Sequence, residues 1–173
     1  MANSKKYILT SVILGSIAAV AAGLIALTNL VTEKKIAQNE QNSVNLGIKN
    51  IFGDSASIKS EKDLDGHKYT VHLYEVENSS SEFLGYAFKC EGSNMYGKIS
   101  LISGFDALTH DFIKLHLITN EQSYASTLVE NYVTPLNSNS RKLEDVSCGA
   151  TYGAKLVRDM VNEASEVALS LWK

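Results

Sequence analysis

The sequence predicts an α+β protein: one N-terminal transmembrane helix, then one small domain with a mainly antiparallel sheet and a C-terminal amphipathic helix. Three observations predict it. No Asp, Glu, Lys or Arg occurs between Lys6 and Glu33. Period-two apolar alternation recurs between residues 67 and 119, the mark of half-buried strands. From Leu156 to Leu171 apolar residues return at three- and four-residue steps, the mark of one buried helical face.

The uncharged stretch runs from Tyr7 to Thr32 and outreaches the ~30 Å hydrocarbon core at about 1.5 Å per residue. Its length favours an uncleaved anchor over a signal peptide, whose apolar core is usually ~7–15 residues. Gly15, Ser16, Ala18, Ala19, Ala21, Ala22 and Gly23 suit packing against another membrane helix. Lys5 and Lys6 on one flank balance Lys34 and Lys35 on the other, so the positive-inside count is tied. The chain divides into an N-terminal tail (1–6), the span (7–32), a polar helical stalk (33–49) and a domain (50–173).

The 173 residues are 45% hydrophobic and 20% charged, which suits one domain with a real core. Of the net charge of −3, residues 33–173 carry −5 once Lys5 and Lys6 are set aside. An acidic body argues against nucleic acid, whose binding rests on clustered Lys and Arg. Cys90 and Cys148 are too few for a disulfide scaffold and lack C-x-x-C spacing; a bond between them is open if the domain is exported. His67, His72, His110 and His116 lack ligand spacing and read as ordinary surface or satisfied residues, so no metal site is expected.

In the body, Tyr69, Val71 and Leu73 share one face of the first strand, with Glu77–Ser81 the following turn. Leu84, Tyr86, Phe88 and Cys90 share one face of the second. Ile99 and Leu101 mark the third; Ile113, Leu115 and Leu117 mark the fourth. Ser123–Val133 reads as a short helix capped by Ser123, and Asn137–Arg141 as a surface loop. The stripe of the last helix reads as core.

Ahead of that helix stands Asp145-Val146-Ser147-Cys148-Gly149-Ala150-Thr151. It is a small-residue turn that delivers a hydroxyl to a helix N-terminus, where free N–H groups and the helix dipole favour phosphate. Gly149 and Ala150 allow close approach of a bulky phosphorylated ligand. Gly-Ala-Thr alone arises by chance in roughly one chain in twenty of this length, and the Asp six residues earlier makes it about one in four hundred.

The stretch resembles the D-x-x-S/T-G-A-T attachment motif of the FMN-binding domain family. That family includes the G subunit of Rnf electron-transport complexes and the C subunit of the sodium-translocating NADH:quinone reductase. Gly92-Ser93-Asn94-Met95-Tyr96-Gly97 is similar to the family's glycine-rich segment ending in Tyr-Gly. The resemblance implies FMN bound covalently to Thr151 as a phosphoester, with Cys148, Gly149, Ala150, Tyr96 and Gly97 at the cofactor site. It implies a flavin transferase that takes FMN from FAD, leaves AMP and recognises Asp145. It also implies a cytoplasmic N-terminus, an extracytoplasmic flavin domain and other membrane subunits as partners in a redox-driven, ion-translocating complex. Such a chain relays electrons and need not be a complete enzyme.

This chain departs from the pattern in four places. Cys148 stands where Ser or Thr is preferred, Val146 where Gly is common, and Gly153 where a second hydroxyl is usual. The family's E-T-P-G-L-G loop falls at Glu121–Ser126, where only Glu121 matches. Two other readings are a stand-alone extracytoplasmic electron-transfer flavoprotein and a flavin-less binding or structural domain of the same fold. No carboxylate pair or serine triad suggests hydrolysis.

Overall fold

The computed structural model describes residues 2–172; Met1, in the N-terminal tail, and Lys173, at the domain's end, lie outside them. Two compact units divide at Gln41/Asn42. Helix α1 runs Ala2–Phe52. Within the first unit its described large apolar side chains, among them Leu14, Ile17, Val20, Leu24 and Ile25, are exposed. An apolar surface of this extent suits lipid rather than water. Among the described residues, α1 is the helix long and apolar enough to cross a membrane.

The second unit carries a five-stranded antiparallel meander in sequence order: β1 Ser57–Asp63, β2 Thr70–Glu77, β3 Phe83–Asn94, β4 Gly97–Asp106 and β5 Phe112–Asn120. A helical run follows, with α2 Ala125–Leu128, a π-helical turn Val129–Val133 and α3 Thr134–Asn137. Helix α4 spans Thr151–Leu171. The α+β architecture is as expected.

Both sheet faces are covered. On one, Val157, Met160, Val161 and Ala164 of α4 and Leu128 and Tyr132 of the π-containing run pack on Phe88, Cys90, Leu101 and Phe105. Full burial of each large side chain contributes about 1.5–3 kcal/mol, so this face anchors α4 firmly. On the other, Val44, Ile48 and Ile51 from the end of α1 pack on Tyr74, Val76, Ala87 and Ile102. The compact unit thus begins at Asn42, inside the segment that reads as stalk.

Four of the strands lie where alternation predicts them, with two side chains on the opposite face. Leu84 and Ile113 pack with the α1 cluster. Each sits at a register shift, Val76/Glu77 against β3 and Gly104/Phe105 against β5. A bulge adds one residue, and a one-residue slip changes faces.

Candidate active-centre pocket at the start of α4

Thr151 is the first residue of α4, and Ala150 before it (φ −118°, ψ 45°) makes no side-chain cap. Intrahelical bonding begins with Ala154 N donating to Ala150 O at 3.0 Å. The N–H groups of the first turn therefore have no partner within the helix, the condition that makes a helix start attractive to phosphate. Gly149 turns the chain into the helix at φ +82°, a conformation side chains disfavour.

The loop before it is held from behind. Arg141 Nη1 donates to Asp145 O at 2.7 Å and to Ser147 O at 3.2 Å, and lies 3.3 Å from Asp145 Oδ2. Asn131 Nδ2 donates to Cys148 O at 3.2 Å. The Asp145 side chain remains 58% exposed, open to an approaching protein.

A cavity of about 270 Å³ opens at Thr151. Gly149, Ala150, Thr151, Tyr152 and Gly153 form one wall, and Tyr96, Gln122 and Tyr124 complete it. Among the described residues no charged side chain lines it. Tyr96 lies 5.3 Å from the Tyr152 ring and 6.5 Å from the Tyr124 ring, centroid to centroid. Asn94 ties these parts together: Tyr96 N donates to its Oδ1 at 2.8 Å, and its Nδ2 donates to Tyr152 O at 3.2 Å.

The structure thus gathers Tyr96, Gly149, Ala150 and Thr151 on one cavity. Cys148 is buried in the core cluster and does not line it. Gly97 takes φ +136° beside it, and its carbonyl accepts from Gln122 Nε2 at 2.5 Å. Cys90 and Cys148 are both free thiols. Burial pushes the Cys90 thiol up to about 12, which suits packing rather than reactivity.

Gln122, Tyr124 and Tyr152 are the lining residues that sequence reasoning misses, Tyr152 directly following the predicted attachment residue. Gln122 and Tyr124 come from the loop where only Glu121 fits the family pattern; its position in the chain, rather than its residues, is the signal. Gly153 also has a local reason. A Cβ there would lie 3.0 Å from Leu128 Cδ2 and 3.4 Å from Gln122 Oε1, so Leu128 and Gln122 already take the space a hydroxyl side chain needs.

The histidines are engaged locally. His72 Nδ1 lies 2.7 Å from Asp63 Oδ1, His67 Nδ1 lies 4.0 Å from Glu163 Oε1, and His110 stacks on Trp172 at 4.2 Å. His116 Nδ1 is 3.2 Å from Asn50 Nδ2. Among the described residues no group of three or more His, Cys, Asp or Glu is placed to hold a metal ion.

Residues 1–45, of 173, match the family model described as the RnfG N-terminal region. The match covers the apolar helix and ends well before the Thr151 motif. It supports an RnfG-like family and, in general terms, an Rnf-type electron-transport subunit: a membrane-anchored, typically flavin-associated class that works with other membrane subunits. No curated protein matches the chain.

Proposed function

We propose that this RnfG-like chain carries FMN as a phosphoester on Thr151 and relays electrons as a single-pass subunit of an Rnf/Nqr-type ion-translocating complex. The observation that carries the reading is the start of α4. A hydroxyl, an uncapped helix N-terminus and a left-handed Gly149 meet at one cavity, with Tyr96 from the second motif on its wall. Two segments more than fifty residues apart, each resembling a family motif, supply the lining of that cavity.

The residues suit the group. Gly149 gives the backbone room, since only Thr127 Cγ2, at 3.3 Å, would meet a side chain there. The first-turn N–H groups and helix dipole of α4 would hold the phosphate. Tyr96, with its neighbours, offers an uncharged aromatic wall to the ring. FMN supplies one-electron relay chemistry when bound, and the protein supplies position and electrostatics. A tether at Thr151 keeps the cofactor on the chain where diffusion would otherwise remove it.

Attachment requires a flavin transferase. Thr151 Oγ1 forms the new O–P bond, the P–O–P linkage of FAD breaks, and AMP and the hydroxyl proton leave. Asp145, exposed and braced by Arg141, is the recognition acid in this reading. The N-terminal tail is cytoplasmic and the flavin domain extracytoplasmic.

The test is a denaturing gel viewed under ultraviolet light after co-expression with an active transferase. The wild-type band should fluoresce and Thr151→Ala should be dark, with the fold kept, because Thr151 follows the cap position and α4 has no side-chain cap to lose. Thr151→Ser should keep part of the signal. A dark wild-type band beside a fluorescent control substrate sinks the reading.

A further inference from the structure

Resting on that reading, we propose that Tyr124 and Tyr152, together with Tyr96, form an aromatic clamp that takes the flat isoalloxazine ring where this chain has no E-T-P-G-L-G loop. Three separate segments supply the rings: the β3–β4 turn, the loop before α2 and the first turn of α4. All three line the cavity at Thr151. Tyr96 contacts both other rings, edge-on to Tyr124 at 61° and tilted against Tyr152 at 44°. None of the three is packed away: Tyr124 and Tyr152 are each 58% exposed and Tyr96 is half-buried.

Exposed aromatic rings at the mouth of a cavity without charged lining present apolar surface, and a planar heterocycle is the chemistry that fits it. Lys155 Nζ, 6.0 Å over the Tyr152 ring, stands beside that surface. The backbone around them is fixed. Asn94 holds both the Tyr96 and Tyr152 main chains, Ser123 N donates to Tyr96 O at 3.0 Å, and Gln122 bonds Gly97 O. The clamp is therefore preorganised at its roots, while Tyr124 and Tyr152 stay more than half exposed. Tyr124 stands in the segment where the family pattern fails, so a side chain of different chemistry reaches the cavity from the same place in the chain.

The test uses the full-length chain in detergent, loaded by co-expressed transferase, and reads two independent quantities. Mass gain reports attachment; native flavin emission relative to denatured emission reports stacking, because a tyrosine against the ring quenches it. Wild type should be quenched at least several-fold in the native state. Tyr124→Leu and Tyr152→Leu should keep the full mass gain and lose most of the quenching, and Tyr124→Trp should restore it. Full mass gain with unchanged quenching in both leucine variants overturns the clamp and leaves attachment standing. If wild type gains no mass, attachment fails and the clamp is decided by titrating lumiflavin, the ring alone, with flavin-free protein. Quenching that Tyr124→Leu abolishes supports the clamp, and no quenching by wild type overturns it.

Discussion

Asn94 at the end of β3 donates through Nδ2 to the carbonyl of Tyr152 in the first turn of α4, at 3.2 Å. Its Oδ1 accepts from Tyr96 N at 2.8 Å. One amide thus fixes the distance between the two motif segments. Asn94→Ala should lower stability by about 1 kcal/mol for the pair of partly exposed bonds. Asn94→Asp, which keeps the acceptor and removes the donor, should fall between. Urea denaturation of the three proteins checks this ranking.

Gly149→Ala should be worse tolerated than its size suggests. The residue sits at φ +82°, and the added Cβ would lie 3.3 Å from Thr127 Cγ2. The backbone cost is roughly 1–2 kcal/mol. Gly149→Asn, whose side chain accepts this conformation more readily, should recover part of it. Equal midpoints for all three proteins would argue against the turn described.

Cys90 should resist alkylation in the native protein at pH 8 and react fully in urea, as mass spectrometry of its peptide would report. Burial pushes the thiol from 9.0 to about 12, and the neighbouring Thr70 and Ser103 hydroxyls only partly offset it. The fold therefore favours the neutral thiol. Its contribution to stability is complete below pH 9, where the unfolded chain is also protonated, and is lost as pH rises towards 12. Cys90→Ala should flatten the alkaline fall in the urea midpoint.

Topology has its own test. Leu108 is 91% exposed at the β4–β5 turn. With both native cysteines buried, Leu108→Cys should be the site that reacts with an impermeant thiol reagent in intact cells. Reaction only after lysis would place the domain in the cytoplasm.

The parts legible in the sequence are those where one physical preference acts alone. The apolar residues of α4 from Leu156 to Ala168 repeat with helical period and are buried, whereas Leu171 at the end of the predicted stripe is exposed. Tyr86, Phe88 and Cys90 of β3, and Ile99 and Leu101 of β4, pack on one face as their alternation predicts. β1 is not legible: Ser57–Asp63 reads SIKSEKD, with four charges, because it is an edge strand with six of seven residues exposed. The helix that the sequence predicts over Ser123–Val133 starts instead at Ala125 and continues through a π-helical turn to Asn137, with Pro135 accommodated in the first turn of α3. Leu84 and Ile113 face away from their predicted side because bulges are set by pairing between strands, which alternation along one strand does not encode. At the site, Thr151 and Tyr96 are legible through motifs. Gln122 and Tyr124 reach the cavity only through the tertiary path of a loop that carries no motif.

The most direct measurement is mass spectrometry of the tryptic peptide spanning residues 143–155, from full-length protein co-expressed with an active flavin transferase. The peptide holds Ser147 and Thr151 as its aliphatic hydroxyls. A gain of roughly 0.4 kDa, FMN less water, localised by fragmentation to Thr151, is the predicted result. An unmodified peptide, or the same mass on Ser147, would contradict it.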